Sequence, residues 1–303
     1  MSLSIRGKIV SLLTVFGLLP PLAVFGIFLF FYGSFEKTQT TPVVNAVQSL
    51  AERSSNDLTA LIGRVQLLAA SPIFADSDNH YDRGLDNPVI SAMNKFTARN
   101  SAVDAIVLVD DAGDPLLVNH ISGAGGETRF DQFLDNFSYA DQALVARLED
   151  AAELRKVAEA GGIILKGFAA RQDLDLLLDA PGKSAVIIVP IFNAYGGYAG
   201  AVAAYVSDRV FTPAMEAASH WFMQHGMSGA QLLSLDGDGD AIAGDPAQWQ
   251  EGKRALSQFI QDIQPGQDRT AHATDHHLFN AFDGIRHSHG FLMQTCLLHH
   301  SFQ

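Results

Sequence analysis

The chain of 303 residues contains one cysteine, Cys296, so no disulfide can form within it. A chain of this size without disulfides must be stabilised by packing, which is acceptable in a bacterial periplasm and unusual for a secreted animal domain. Basic residues are also few, because 20 lysines and arginines stand against 33 acidic residues and give a formal net charge of −13. This acidity argues against nucleic acid and anionic lipid headgroups as partners.

Signatures of common catalytic centres are missing as well. The sequence has no Gly-x-Ser-x-Gly elbow, no phosphate-binding glycine loop and no His-Glu-x-x-His motif. Gly-Ala-Gly-Gly at 123–126 does not have the strand and helix context of a dinucleotide site and is predicted to form a flexible loop. We therefore predict that the chain is not an enzyme and that it requires no cofactor.

Residues 9–33 are apolar and carry no charge. About 20 such residues are enough to cross a bilayer as one helix. Arg6 and Lys8 precede the segment and every acidic residue follows it, so residues 1–8 are predicted to be cytoplasmic and the bulk of the chain to lie outside a bacterial inner membrane. A cleaved signal peptide is the alternative, but its apolar core would be shorter, at about 7–15 residues, and a clear cleavage site is missing.

A second uncharged stretch covers residues 184–206. Pro190, Asn193 and a Gly-Gly pair interrupt it, and β-branched residues are frequent on either side. This composition predicts a hairpin with strands at 184–192 and 198–207. The alternative is a second membrane helix, which would place the remainder of the chain in the cytoplasm.

A long helix is predicted between Pro42 and Pro72, because apolar residues recur there at spacings of mostly three or four. These residues are Val43, Val47, Leu50, Leu58, Leu61, Val65 and Leu68. We interpret 34–75 as a stalk helix leading away from the membrane. Such a regular seam can pair with a second copy or pack along its own domain, and we predict some of both, including a homodimer.

The segments after the stalk predict strands interrupted by helices. AIVLVDDAGDPLLVN at 105–119 predicts two strands joined by a turn, helices are expected over 128–160, and IILKGF at 163–168 with the later hairpin completes five strands. This order is typical of an antiparallel α+β module. We place that module, predicted to be the membrane-distal one, at 76–210.

The pattern then partly repeats. AQLLSLDGDGDAIAG at 230–244 matches the first hairpin at an offset of 126 residues, aligning Asp110 with Asp236 and Gly113 with Gly239. A linking helix near 211–222, another helix and the strands HHLFNAF and GFLMQTCLL complete the chain. Repetition at this distance predicts a second, smaller, membrane-proximal module at 211–303.

This layout resembles the double Cache sensor domain, the tandem PAS-like region of bacterial transmembrane receptors. The matching segments are VLVDDAGDPLLVN, SAVIIVPIFNAYGGYAGAVAAYVS and AFDGIRHSHGFLMQTCLL. The resemblance implies extracytoplasmic small-molecule sensing and transmembrane signal transduction, with the ligand usually in the distal module. The output domain would belong to a methyl-accepting chemotaxis protein, or alternatively to a histidine kinase or diguanylate cyclase. A membrane-anchored periplasmic metal- or solute-binding protein is a further alternative.

Candidate ligand-binding residues follow from the resemblance and from residue chemistry. The amino-acid-binding subgroup of the family has an Arg-x-Trp-Tyr signature, of which GETRFDQF retains only Arg129, and Tyr205 stands where that subgroup has an aspartate. An amino-acid ligand is therefore not implied. A pocket lined by Arg129, Tyr139, Phe168, Arg171 and Tyr205 would suit a carboxylate, since arginine binds it through two donors and aromatic rings cover apolar parts.

Two patterns raise the question of metal binding. Asp-Gly-Asp-Gly-Asp at 236–240 does not have the glycine and glutamate of a calcium loop, because Ala241 and Ala247 hold those positions, so a tight turn is predicted. Histidines concentrate near the end of the chain and could bind zinc, copper or nickel, but carboxylates nearby are few. We predict solvated histidines and no metal site. These are His272, His276, His277, His287, His289, His299 and His300.

Overall fold

The computed structural model describes residues 45–46, 48–84, 86–138, 144, 149, 151–179 and 182–225, and beyond them the backbone of five strands. The predicted membrane-spanning segment 9–33 lies outside these ranges. Within the described residues, no helix combines the length and the apolar character that a membrane crossing requires. Apart from residues 45–46, everything described belongs to one compact unit, Val47–Gln303.

Residues 48–69 form the first long helix, α1, which ends shortly before Pro72 as the sequence predicts. Its buried residues Leu58, Leu61 and Val65 belong to the main hydrophobic core. The described part of the predicted seam therefore packs along its own domain, which was one of the two interpretations. A homodimer remains a prediction, but these side chains are already covered and cannot also form its interface.

Six shorter helices follow α1 in the part of the chain that the structure describes. Asn87 caps α3, since its side-chain oxygen accepts hydrogen bonds from the backbone N–H groups of Val89 and Ile90. The helices are α2 (Pro72–Ala75), α3 (Pro88–Arg99), α4 (Phe130–Asn136), α5 (Ala151–Glu159), α6 (Gln172–Leu177) and α7 (Thr212–Gln224), with 3-10 helices at Ser77–His80 and Asp208–Phe211.

The first sheet contains five antiparallel strands in the order β2-β1-β5-β4-β3. All seven residues of β1 and the first eight of β4 are buried, so both faces of the central strands are covered. The 184–207 hairpin is confirmed as β4 and β5, and the alternative of a membrane helix there is wrong. The strands are β1 (Val103–Val109), β2 (Pro115–Val118), β3 (Ile164–Ala169), β4 (Ser184–Phe192) and β5 (Tyr198–Ser207).

The second sheet repeats the order of the first, as β7-β6-β10-β9-β8. In both sheets the first strand of the segment lies between the second and the fifth. The repeat that the 230–244 motif predicts thus appears in the strand order, while the module boundaries remain predictions. The strands are β6 (Ala230–Leu235), β7 (Ala241–Ala243), β8 (Thr270–Ala271), β9 (Leu278–Ala281) and β10 (Gln294–His299).

The loop at 123–126 differs from its prediction as a flexible loop. The Ser122 backbone N–H donates to the Gly126 carbonyl at 2.8 Å, and the Gly123 N–H donates to the Val103 carbonyl at 2.9 Å. A Cβ on Gly123 would lie 2.2 Å from that carbonyl oxygen. The segment is therefore a hydrogen-bonded turn packed against the start of β1, and glycine is required there by close approach.

Candidate functional site

Tyr205 on β5 is fully buried, and its hydroxyl donates a hydrogen bond to the Asp173 carboxylate on α6. Helix α6 is short, and it docks through Leu174 and Leu177, which are both buried. Asp173 precedes Leu177 by four positions and so lies on the same side of the helix. The docking of α6 therefore presents a buried carboxylate to the central strand of the sheet.

Strand register places further polar side chains on the same face of the sheet as Tyr205. Tyr205 is opposite Val186 on β4, and Val186 is opposite Lys166 on β3, so Tyr205 and Lys166 lie on one face of the sheet. Ser184 precedes Val186 by two residues and shares this face. Ser184 is thus a diagonal neighbour of Tyr205, and it pairs with Ala169 on β3, which a bulge separates from Lys166 by three residues.

Arg171 lies directly before α6, two residues after Ala169, which pairs with Ser184. Its Nη2 donates to the Gly167 carbonyl at 2.7 Å, and its Nε is buried without a hydrogen-bond partner among the described residues. We call the set Lys166, Arg171, Asp173, Ser184 and Tyr205 the Arg171 corner.

Buried polar atoms without partners are uncommon, and each costs about 1–3 kcal/mol of folding free energy. The Arg171 corner contains two of them within the described part of the chain, Arg171 Nε and Ser184 Oγ. Both groups can donate a hydrogen bond, so an acceptor from another molecule would satisfy them.

Positive and negative charges lie close together at the Arg171 corner. The Lys166 ammonium forms an ion pair with the Glu149 carboxylate. Burial lowers the pKa of Lys166, and the positive charge of Arg171 lowers it further. Two cations therefore lie close enough to repel each other, and an anion near Arg171 would relieve that repulsion.

The other predicted pocket residues either contact groups outside this corner or lie outside the described ranges. The Arg129 guanidinium donates to the carbonyls of Asp175 and Leu178 at the C-terminal end of α6, and its Nε lies 3.7 Å from an Asp179 carboxylate oxygen. Phe168 packs against Phe211, with ring centroids 5.3 Å apart. Tyr139 lies outside the described residues. Arg171 thus lies at the start of α6, the helix that contacts Tyr205 through Asp173, whereas Arg129 contacts the opposite end of that helix.

Sequence reasoning missed three members of the corner. Asp173 could have been found, because it lies four positions before Leu177 in an amphipathic segment. Lys166 and Ser184 could not, because their proximity to Tyr205 depends on the pairing of three strands. As for metal, the described residues contain no group of three histidine, cysteine or acidic side chains that could hold an ion. The 236–240 motif and the C-terminal histidines lie outside the described residues, except for the backbone of His299 in β10.

Searches with the amino-acid sequence find no related protein. No family model matches the chain, and no curated protein matches it either. Solved structures do match, at low sequence identity. A domain of a sensory box/GGDEF family protein from Vibrio parahaemolyticus matches with a TM-score of 0.54 and 12% identity, over 88% of this chain and 97% of that one.

Two further structures match over a similar extent. The sensory domain of the Campylobacter jejuni chemoreceptor Tlp3, solved with isoleucine bound, has a TM-score of 0.54 and 8% identity, over 88% of this chain and 95% of that one. The extracellular domain of the histidine kinase vpHK1S-Z8 has a TM-score of 0.53 and 15% identity, over 86% and 91%. The chain is thus similar in fold to these three sensor domains. The mixed helix and antiparallel-sheet architecture implied by the family resemblance is thereby confirmed. The predicted N-terminal anchor lies outside the described residues and remains a prediction.

Proposed function

We propose that the chain is the extracytoplasmic ligand-binding part of a transmembrane small-molecule sensor. The fold supports a sensing role, because the structures it resembles come from a chemoreceptor, a histidine kinase and a sensory box/GGDEF protein. The observation that carries the proposal is the Arg171 corner, where a buried, unpartnered guanidinium nitrogen lies at the start of the helix that contacts Tyr205.

The ligand that suits this corner is a small carboxylate. Arg171 supplies a charged donor whose Nε is not engaged by the described residues, and charge-assisted hydrogen bonds from arginine to carboxylate are strong. Tyr205 and Asp173 offer a second polar contact on the same face of the sheet. Arg129, Tyr139 and Phe168 remain predicted lining residues.

Signal transmission then requires a difference in affinity. A ligand that prefers one of two arrangements of the domain by about 1–3 kcal/mol is enough to bias an output. In the proposed protein, residues 9–33 anchor the chain in the inner membrane and the stalk helix carries the change, in a homodimer. A chemotaxis output is our first choice, and a kinase or cyclase output is the alternative.

Thermal unfolding of the detergent-solubilised 303-residue chain tests the binding step. The screen covers carboxylates, amino acids, purines and divalent metals, and a ligand present at 100 times its Kd stabilises the folded state by about 2.7 kcal/mol. We expect a carboxylate to stabilise the wild type and Arg171→Ala and Tyr205→Ala to abolish the shift. Stabilisation by a divalent metal alone would instead favour a metal-binding protein.

Arg155→Ala is the matched control, because Arg155 is an exposed arginine that pairs with Asp111 in the β1–β2 turn. This variant should retain the full carboxylate-dependent shift. If Arg171→Ala and Tyr205→Ala also retain it, the ligand binds elsewhere and the proposed site is wrong.

A further inference from the structure

Ser184 is the first residue of β4, and only 1% of its surface is exposed. Its Oγ has no hydrogen-bond partner among the described residues. Other buried serines on neighbouring segments are paired. Ser207 Oγ, directly across the strand pair, donates to the Ala102 carbonyl at 3.2 Å, and Ser122 Oγ donates to Asp104 at 3.0 Å.

The surroundings of Ser184 specify the chemistry of a missing partner. Its diagonal neighbour on the sheet face is Tyr205, and its partner on β3 is Ala169, which lies three residues after Lys166 across a bulge and two residues before Arg171. Lys166 is engaged by Glu149 and Tyr205 by Asp173, so neither needs Ser184. A hydroxyl donor beside an arginine with an unpartnered Nε is suited to a shared acceptor of negative charge.

We infer that Ser184 is a ligand-binding residue, whose hydroxyl donates to the same acidic group of the ligand that Arg171 binds. This inference rests on the proposed function, since it assumes that the Arg171 corner is the ligand site. It adds a residue that the family resemblance does not supply, and it specifies that the ligand presents an acidic group, either carboxylate or phosphate, to the first residue of β4.

The test measures two properties of one variant: the stability of the ligand-free protein and its affinity for anions. In Ser184→Ala the hydroxyl is removed, and because it bonds to no described group in the free protein, the melting temperature should stay the same or rise. The probes are acetate, succinate and inorganic phosphate, titrated to 50 mM on the detergent-solubilised chain at constant ionic strength, with acetamide as the uncharged control. We expect at least one anion to stabilise the wild type, and its Kd to rise about tenfold in Ser184→Ala, as loss of one charge-assisted hydrogen bond implies. Comparison of the carboxylates with phosphate identifies the acidic group.

Ser207→Ala is the matched control, because its hydroxyl is paired within the protein. It should lower the melting temperature and leave the anion Kd unchanged. An unchanged Kd in Ser184→Ala, or no stabilisation of the wild type by any of the three anions, overturns the inference. If Ser184→Ala keeps the anion shift while Arg171→Ala loses it, the proposed ligand site stands and only the role of Ser184 fails. If both keep it, both fail.

Discussion

The Arg209 guanidinium donates hydrogen bonds to the Ser101 carbonyl and to the Asp104 carboxylate. Arg209 lies in the 3-10 helix that follows β5, and Asp104 lies on β1, where it also accepts a hydrogen bond from Ser122 Oγ. The ion pair therefore fixes the end of β5 to the start of β1, at the point where the chain leaves the first sheet for α7. If β5 responds to ligand through Tyr205, the response passes Ser207, whose hydroxyl donates to the Ala102 carbonyl, before it reaches this ion pair.

We predict that Arg209 and Asp104 are energetically coupled. A double-mutant cycle with Arg209→Gln and Asp104→Asn, measured by urea unfolding, should give a coupling free energy of about 1 kcal/mol. The value is modest because the Arg209 side chain is 37% exposed and solvent screens the pair, although Asp104 is only 11% exposed. A coupling free energy near zero would show that the contact does not stabilise the fold.

The exposed pair Arg155 and Asp111 provides the control for this cycle. Its nitrogen and oxygen are 3.5 Å apart, and both side chains are more than half exposed. The same measurement on Arg155→Gln and Asp111→Asn should give a smaller coupling free energy, because exposed pairs at this distance contribute little.

Gly123→Ala should destabilise the protein strongly. An added Cβ would lie 2.2 Å from the Val103 carbonyl oxygen and 2.7 Å from that of Asn100, and both are backbone atoms that cannot turn aside. We expect a loss of at least about 2 kcal/mol in the free energy of unfolding. Gly126→Ala, three residues later, meets no atom within 4 Å and should change stability by less than about 0.5 kcal/mol. Equal effects in the two variants would contradict this account of the turn.

Leu61→Ala tests whether the apolar seam of α1 packs into the core of its own domain or pairs with a second copy of the chain. Leu61 is 2% exposed and belongs to the main core, so its truncation should cost about 2–5 kcal/mol without changing the oligomeric state. Leu67 on the same helix is 75% exposed, and Leu67→Ala should be nearly neutral. Sedimentation alongside chemical unfolding checks both points. Dissociation into smaller species by Leu61→Ala at unchanged stability would show that the seam pairs two copies.

Local structure was predictable wherever one segment determines it. The β4–β5 hairpin follows from two apolar strands around a Gly-Gly pair, and Gly196 adopts the positive φ of +78° that such a turn requires. The start of α3 follows from Asn87, which caps it, and from Pro88, its first residue. In each case the determining residues are neighbours in sequence.

Contacts between distant segments were not predictable in the same way. Arg129 was predicted as a ligand residue from its position in GETRFDQF, but its guanidinium donates to α6, whose place depends on the docking of Leu174 and Leu177. Ser184 carries no signal in the sequence, because whether its hydroxyl is paired depends on the register of β4 against β3 and β5. The arrangement of the candidate site therefore depends on strand pairing, which composition and spacing do not specify.

Tyr198 is the first residue of β5 and lies at the opposite end of this strand from Tyr205. Burial changes the pKa of its phenol. The Arg155 guanidinium carbon lies 5.6 Å from the centre of its ring. Burial raises the pKa of Tyr198 to about 12, while Arg155 acts against this rise and Asp111 and Asp110 add to it. The folded state therefore holds the phenol proton over a range in which an unfolded chain, with a tyrosine pKa of about 10, releases it.

The pH dependence of stability should follow from that difference. The contribution of Tyr198 is fully present below about pH 10 and is lost as the pH rises towards about 12, because the unfolded state is then deprotonated while the folded state is not. Tyr198→Phe should therefore flatten the fall in unfolding free energy between pH 9.5 and 11.5, measured by urea unfolding at about six pH values across that range. Tyr195→Phe is the control, since Tyr195 is 98% exposed and its ring is in contact with solvent in the folded state. If the two variants have the same pH profile, burial of the Tyr198 phenol does not contribute to the alkaline loss of stability.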